Sequence, residues 1–127
     1  MSRIMIVDDE ESILKALRRV LRIAPCVYGN KNFSLEVEAF SSPAEALERA
    51  RHETFDLFIS DFRMPEMDGI EFLKGAKALQ PDAARLILSG YADLNALLRA
   101  VNEVGIERFI GKPWNDYELM SAIGQAL

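Results

Sequence analysis

Five side chains in this sequence stand where short apolar runs end: Asp8 and Asp9 after RIMIV, Asp61 after FDLFIS, Ser89 after RLIL, and Lys112 after RFIG. Three carboxylates brought together repel one another and raise one another's pKa unless a cation offsets their charge. Oxygen ligands with no Cys or His beside them suit a hard divalent ion. Magnesium is favoured, because it keeps several waters and takes one or two carboxylates plus a phosphate oxygen. The Lys112 ammonium is suited to neutralising one phosphoryl oxygen and the Ser89 hydroxyl to hydrogen-bonding another. The set fits phosphoryl transfer onto a carboxylate, with Asp61 as the acceptor.

These residues work together only if the chain brings the ends of four strands to one rim. Arg3 to Asp8 reads as strand one, rich in Ile and Val and closed by an acidic cluster. From Glu11 the period becomes helical, with Ile13, Leu14, Leu17, Val20 and Leu21 on one face and Lys15, Arg18, Arg19 and Arg22 in the later turns. Ala24 to Phe33 holds Pro25, Gly29 and Asn30 without periodicity and is expected to be a long loop. Leu35, Val37 and Ala39 alternate with Ser34, Glu36 and Glu38, which gives a half-exposed strand two near a sheet edge.

Ser42-Pro43-Ala44-Glu45 starts helix two with an N-cap, a Pro at the first helical position and a Glu three residues after the cap. Strand three is Phe55 to Asp61, and Pro65 and Gly69 mark the turn before helix three, which ends ahead of Pro81. Arg85 to Ser89 is strand four. Asp93 is expected to cap a fourth helix through Val104, closed by Gly105. Arg108 to Gly111 is strand five, and Asn115 with Glu118 opens helix five. Strand and helix alternate five times within residues 1–127. That pattern calls for one α/β domain with a parallel sheet and helices on both faces. In such sheets functional groups gather beyond the carboxyl ends of the strands.

The bulk properties exclude several classes. A chain of 127 residues with 50% hydrophobic and 28% charged side chains buries a core of its own and is neither disordered nor collagen-like. A formal net charge of -5 argues against direct nucleic acid binding and against anionic lipid surfaces. The apolar runs are far shorter than the roughly 20 residues of a membrane span, and the start lacks a secretory pattern, so a cytoplasmic location is expected. Cys26 is the single cysteine and is read as an ordinary thiol. His52, between Arg51 and Glu53, is read as a solvated side chain away from the rim.

Taken in order, Asp8-Asp9, Asp61 with its RMPEMDG continuation, Ser89-Gly90 and Lys112-Pro113 resemble the signature of a response-regulator receiver domain of two-component signalling, over essentially the whole chain. The resemblance implies a flavodoxin-like, three-layer (βα)5 fold with a five-stranded parallel sheet in the order 2-1-3-4-5. It also implies the roles. Asp61 accepts a phosphoryl group from the phosphohistidine of a sensor histidine kinase or phosphotransfer protein. Asp9 and Asp61 bind Mg2+ with the backbone carbonyl of Arg63, Asp8 helps through water, and Ser89 and Lys112 hold phosphoryl oxygens. Lys112-Pro113 is expected cis. Ser89 and Phe109 form the switch, with Phe109 standing where Tyr is frequent; burying its ring leaves no hydroxyl to desolvate.

Arg63 and Tyr91 occupy the two positions that tune phosphoryl lifetime in such domains. Tyr91 is expected to hinder in-line water, while Arg63 is placed either to do the same or to contact the phosphoryl group. Helix four carries an apolar stripe of Leu94, Leu97, Leu98, Val101 and Val104, widened by Ala96 and Ala100. Most of it is core, and the surplus, with strand five, helix five and Trp114, is available to a partner or a homodimer. Two alternatives stand beside this reading. A haloacid-dehalogenase-like aspartyl-phosphate phosphatase would need a second Asp two residues after Asp61, where Arg63 stands, and a cap region. A receiver-like interaction module working without phosphorylation is the other. Nucleotide-binding loops of the GxxxxGK[ST] or GxGxxG type follow no strand. The LSGYAD and GKPW segments resemble receivers joined to signalling-enzyme outputs, HD-type cyclic-dinucleotide phosphodiesterases among them.

Overall fold

A computed structural model describes the backbone of residues 1–90 and 94–127, with some side chains inside the fourth helix outside the description. In chain order the elements are β1 (Ser2–Val7), α1 (Glu11–Ile23), β2 (Cys26–Tyr28), β3 (Lys31–Phe33), β4 (Leu35–Phe40), α2 (Pro43–Ala50), β5 (Leu57–Asp61), α3 (Gly69–Leu79), β6 (Ala84–Ser89), α4 (Leu94–Glu103), β7 (Arg108–Gly111) and α5 (Asp116–Ala126). The main sheet has five strands in the order β4-β1-β5-β6-β7, and all its pairings are parallel. Without the short pair β2-β3, that is the expected order 2-1-3-4-5.

The two-residue period of the strands divides the core. Ile4, Ile6, Leu57, Ile59, Leu86, Leu88 and Ile110 point to the side covered by α1 and α5. Met5, Val7, Phe58 and Ile87 point to the side covered by α2 and α3, where Val104 also packs. Because both faces are covered, β5 and β6 are buried at every residue, which explains their nearly continuous apolar runs. At the edge, β4 keeps Leu35, Val37 and Ala39 only partly buried, as the alternation with Glu36 and Glu38 predicts.

Helix starts follow the chemistry of the first turn. The Ser42 Oγ accepts from Glu45 N at 3.3 Å and Asn115 Oδ1 from Glu118 N at 2.9 Å, so both expected caps form. At α3 the cap is Asp68, one residue before the Gly69 that the sequence pattern picked out. It forms a capping box in which Asp68 Oδ1 accepts from Glu71 N at 2.8 Å. Gly105 closes α4 with φ of 71°, a conformation glycine adopts without strain. Asp93, expected to cap α4, lies outside the described residues.

The expected loop from Ala24 to Phe33 is instead an antiparallel hairpin, β2 with β3, turned by Gly29-Asn30 with Gly29 at φ 62°. Strands of three residues cannot hold together alone. This pair is held by α5: the Cys26 Sγ lies 3.8 Å from the Met120 carbonyl oxygen, and burial pushes the thiol's pKa up. A Cβ at Gly124 would sit 3.1 Å from the Tyr28 Cβ and 3.2 Å from the Val27 carbonyl oxygen. Glycine at that helical position therefore lets the hairpin lie flat on α5.

Candidate functional site

The rim forms at the carboxyl ends of β1, β5, β6 and β7. Asp8, one residue past β1, is 1% exposed, and Asp61, the last residue of β5, is 7% exposed. Ser89 ends β6 and is buried, while Asp9 faces solvent. Lys112 follows β7, and the Lys112-Pro113 peptide is cis.

Strand order converts these chain positions into contacts. The Lys112 Nζ donates to Asp61 Oδ1 at 2.7 Å and to Asp8 Oδ2 at 2.9 Å, joining the ends of three strands through one ammonium. The other Asp8 oxygen, Oδ1, accepts from the Glu10 backbone N-H at 2.9 Å. Carboxylate oxygens of Asp8, Asp9 and Asp61 all lie within 4.8 Å of one another. The Lys112 backbone N-H donates to the Ser89 carbonyl at 2.9 Å, which registers β7 against β6 at the rim.

Burial is the main reason the Asp61 carboxyl is held above the usual carboxylate range; Asp8 and Asp9 push the same way, and the Lys112 ammonium opposes them. Burial works against the charge of Lys112, but its hydrogen bonds to Asp61 and Asp8 and their negative charge outweigh it, and its pKa is raised. One ammonium against three carboxylates leaves a surplus of two negative charges. An oxygen-only donor set with that surplus fits a hard divalent cation such as Mg2+, with Asp8, Asp9 and Asp61 as the side chains that would hold it.

The backbone beneath Asp61 is fixed as closely as its side chain. Gly69 N donates to Phe62 O at 2.8 Å, and a Cβ on Gly69 would overlap the Asp61 carbonyl oxygen. Only a residue without a side chain lets α3 begin so close to the end of β5. The buried Ser60 hydroxyl donates to that same Asp61 carbonyl at 2.8 Å. In the sequence Gly69 carries only a turn signal, and nothing marks Glu10 or Ser60 as part of the site. The D-G-x-E spacing of Asp68 to Glu71 was the available sign that a helix starts tightly here.

The remaining candidates fall as follows. Arg63 is exposed, with its guanidinium carbon 5.8 Å from the Phe62 ring centroid. Phe109 is half-buried against the cluster under α2 and α3. Tyr91 lies outside the described residues. Trp114 packs against the α1-α5 cluster and donates from Nε1 to Asp116 Oδ1 at 3.0 Å. His52 is exposed at the end of α2, 3.1 Å from Glu48 Oε1 and distant from the rim in the chain's layout.

The sequence matches the response regulator receiver domain family across residues 4–124. The chain belongs to that family. This receiver domain is 35% identical over 124 residues to the hydrogenase transcriptional regulatory protein HoxA of Bradyrhizobium diazoefficiens, covering 98% of this chain and 24% of HoxA. It is 32% identical over 126 residues to the response regulator protein TodT of Pseudomonas putida, covering 99% of this chain and 51% of TodT. The chain thus spans about a quarter to a half of these curated relatives.

Among solved structures, a response regulator receiver domain protein from Clostridium thermocellum superposes with a TM-score of 0.86 at 30% identity, covering 99% of this chain and 94% of that one. The signal receiver domain of an HD domain-containing protein from Pseudomonas fluorescens superposes with a TM-score of 0.82 at 33% identity, covering 98% and 93%. The flavodoxin-like receiver fold and the regulatory class follow, and neither alternative to a receiver domain is favoured. Among the described residues no helix is long and apolar enough to cross a membrane.

Proposed function

We propose that Asp61 accepts a phosphoryl group from the phosphohistidine of a sensor histidine kinase or phosphotransfer protein. An Asp61 oxygen forms the new P-O bond as the P-N bond of the phosphohistidine breaks, and the departing imidazole nitrogen takes up a proton. The observation that carries this reading is the Lys112 ammonium seated between Asp61 and Asp8, with the Asp9 carboxylate beside them. Lys112 opposes the burial that raises the Asp61 pKa and is positioned to follow a phosphoryl oxygen once one is attached.

Ser89 at the end of β6 is the hydroxyl donor to a second phosphoryl oxygen. Its shift toward the acceptor, with inward turning of the half-buried Phe109 ring, is the switch. Asp9, Asp61 and the Arg63 carbonyl would hold Mg2+, with Asp8 helping through water, and the bound ion would offset negative charge on the phosphoryl oxygens. Arg63 and Tyr91 set how readily water reaches the acyl phosphate. The domain regulates by changing its own covalent state and turns over no external substrate.

Residues 1–127 form one receiver unit working in the cytoplasm, and output is read at the face of α4, β7 and α5, by a partner or a second copy. Leu98 on α4 is 56% exposed and Tyr117 on α5 is 84% exposed, which supports that face. The relatives described as transcriptional regulators carry most of their length beyond the matched stretch, so any contact with DNA belongs to a part other than this domain.

The test is to incubate the domain with Mg2+ and a small acyl phosphate or phosphoramidate donor and to follow intact mass with peptide mapping. A single added phosphoryl group on Asp61, absent in Asp61→Asn and absent without Mg2+, is expected. Wild-type protein that stays unmodified while the donor is intact overturns the assignment.

A further inference from the structure

On the outer side of α1, away from the rim, lies a groove that phosphoryl transfer does not use. The apolar residues of edge strand β4 are only partly covered by α1, and Cys26 and Phe33 of the hairpin line the same cleft. The result is an open cleft of about 540 Å³ floored by Phe33, Leu35 and Val37 and rimmed by Arg18, Arg22 and Ile23. A second depression of about 260 Å³ continues it upward past Arg18 toward Glu11 and Glu45. The helix beside it has 13 residues, so the groove runs on the order of 20 Å.

Two observations indicate what this groove accepts. The first is its floor, where three apolar side chains are only partly buried and Ile23 is 70% exposed at the rim. The second is its charge. Most basic residues elsewhere in this acidic chain are held by carboxylates, such as Arg3 by Glu53, Arg49 by Glu38 and Lys74 by Glu103. Among the described residues, Lys15, Arg18, Arg19 and Arg22 on α1 have no carboxylate within ion-pair distance. Arg18 and Arg22 line the cleft and Lys15 and Arg18 the depression above it, so three unpaired cations line one edge of the groove in a chain of net charge -5.

We propose that the groove between α1 and β4 docks a segment of a partner protein that carries carboxylates among apolar side chains. Exposed ion pairs add little individually, so the cations steer and orient the segment while the floor supplies most of the affinity. The polarity of the groove sets direction. Glu11 and Glu45 offset Lys15 and Arg18 at the upper end, whereas the hairpin end holds Arg18 and Arg22 and no carboxylate, so the segment's acids lie at the hairpin end. A second copy is disfavoured, because a two-fold contact through this face would oppose cation to cation. Nucleic acid is disfavoured by the net charge and by the apolar floor, which phosphates cannot use.

The test is selection of short linear peptides displayed on phage against the full chain, with anisotropy titrations of the enriched sequences and backbone amide NMR. Enriched peptides are expected to combine Asp or Glu with Leu, Ile or Phe and to shift the amide resonances of Leu35 and Val37. They should bind about tenfold more weakly to the Arg18→Glu/Arg22→Glu double variant and more weakly to Ile23→Ser. Binding should be the same in Asp61→Asn, which separates this site from the phosphoacceptor. Absence of enrichment, enrichment of peptides without acids, or resonance shifts confined to another face overturns the proposal. So does polyglutamate, a DNA duplex or an anionic vesicle binding as tightly as the selected peptides, since that would mean charge alone.

Discussion

Replacing Lys112 by Met keeps the apolar stem and removes the ammonium that lies 2.7 Å from Asp61 and 2.9 Å from Asp8. Two buried carboxylates then face each other with no cation between them. Breaking a fully buried ion pair from one side costs about 3–5 kcal/mol. The Lys112 side chain is 20% exposed and Asp9 opens the pocket to water, so screening lowers the expected cost to about 2–4 kcal/mol. For a domain of this size that corresponds to a melting temperature lower by about 6–15 °C.

Asp61→Asn should act in the opposite direction. The fold holds the Asp61 carboxyl above its usual range, chiefly by burial, so the ionised form is disfavoured by folding near neutrality and an amide removes that penalty. A group with a raised folded pKa contributes stability that is present at low pH and lost as pH rises through that folded value. The excess stability of Asp61→Asn over wild type should therefore shrink as pH is lowered through the carboxylate range. Thermal melts in EDTA of wild type, both single variants and the double variant form the assay. With Asp61 neutral, loss of Lys112 leaves only Asp8 unpaired at close range, and the coupling between the substitutions should be about 1–2 kcal/mol. Added Mg2+ should raise the melting point of Lys112→Met more than that of Lys112→Met/Asp61→Asn. A Lys112→Met protein that melts with wild type in EDTA, or strictly additive variants, would refute the view that this ammonium holds the acidic rim together.

Two glycines give further checks. Gly69→Ala drives a methyl group into the Asp61 carbonyl oxygen, a backbone atom that cannot yield without moving Asp61. It should cost about 1–3 kcal/mol in denaturant melts and slow phosphoryl uptake even where the protein is fully folded, and unchanged uptake would contradict the fit argument. Gly124→Leu removes a helix-weakening residue, a gain of up to about 1 kcal/mol, but pushes on Tyr28 and the Val27 carbonyl. The hairpin should lift, and the Cys26 thiol, now 4% exposed, should alkylate faster than in wild type while the main sheet stays intact. Equal alkylation rates would mean that α5 does not hold the hairpin.

The sequence made the main sheet legible because each of its strands carries its own signal. β1, β5 and β6 are apolar runs closed by a polar residue, β4 alternates, and β7 is short but stands between Gly105 and Lys112. The residue types of the rim were legible for the same reason, each one ending a strand. The bonds between them were not, since Lys112 meets Asp61 and Asp8 across 51 and 104 residues of chain, and those distances follow only from the strand order.

The hairpin shows the converse case. Gly29-Asn30 is a two-residue turn signal, but strands of three residues hold too little alternation to register, and their stability comes from Met120 and Gly124 on a helix far along the chain. Arg85 is a similar case: a charge in a strand pattern suggests an exposed edge. The structure buries it to 8% exposure, with its guanidinium on the carbonyls of Ala83 and Gly105. The Gly105 carbonyl, just past the end of α4, lies at the negative end of that helix's dipole and suits the guanidinium. Local pattern therefore reports what a segment does to itself. What fixes Asp61, from Gly69 under its carbonyl to Lys112 on its oxygen, is the approach of segments that the sheet brings together.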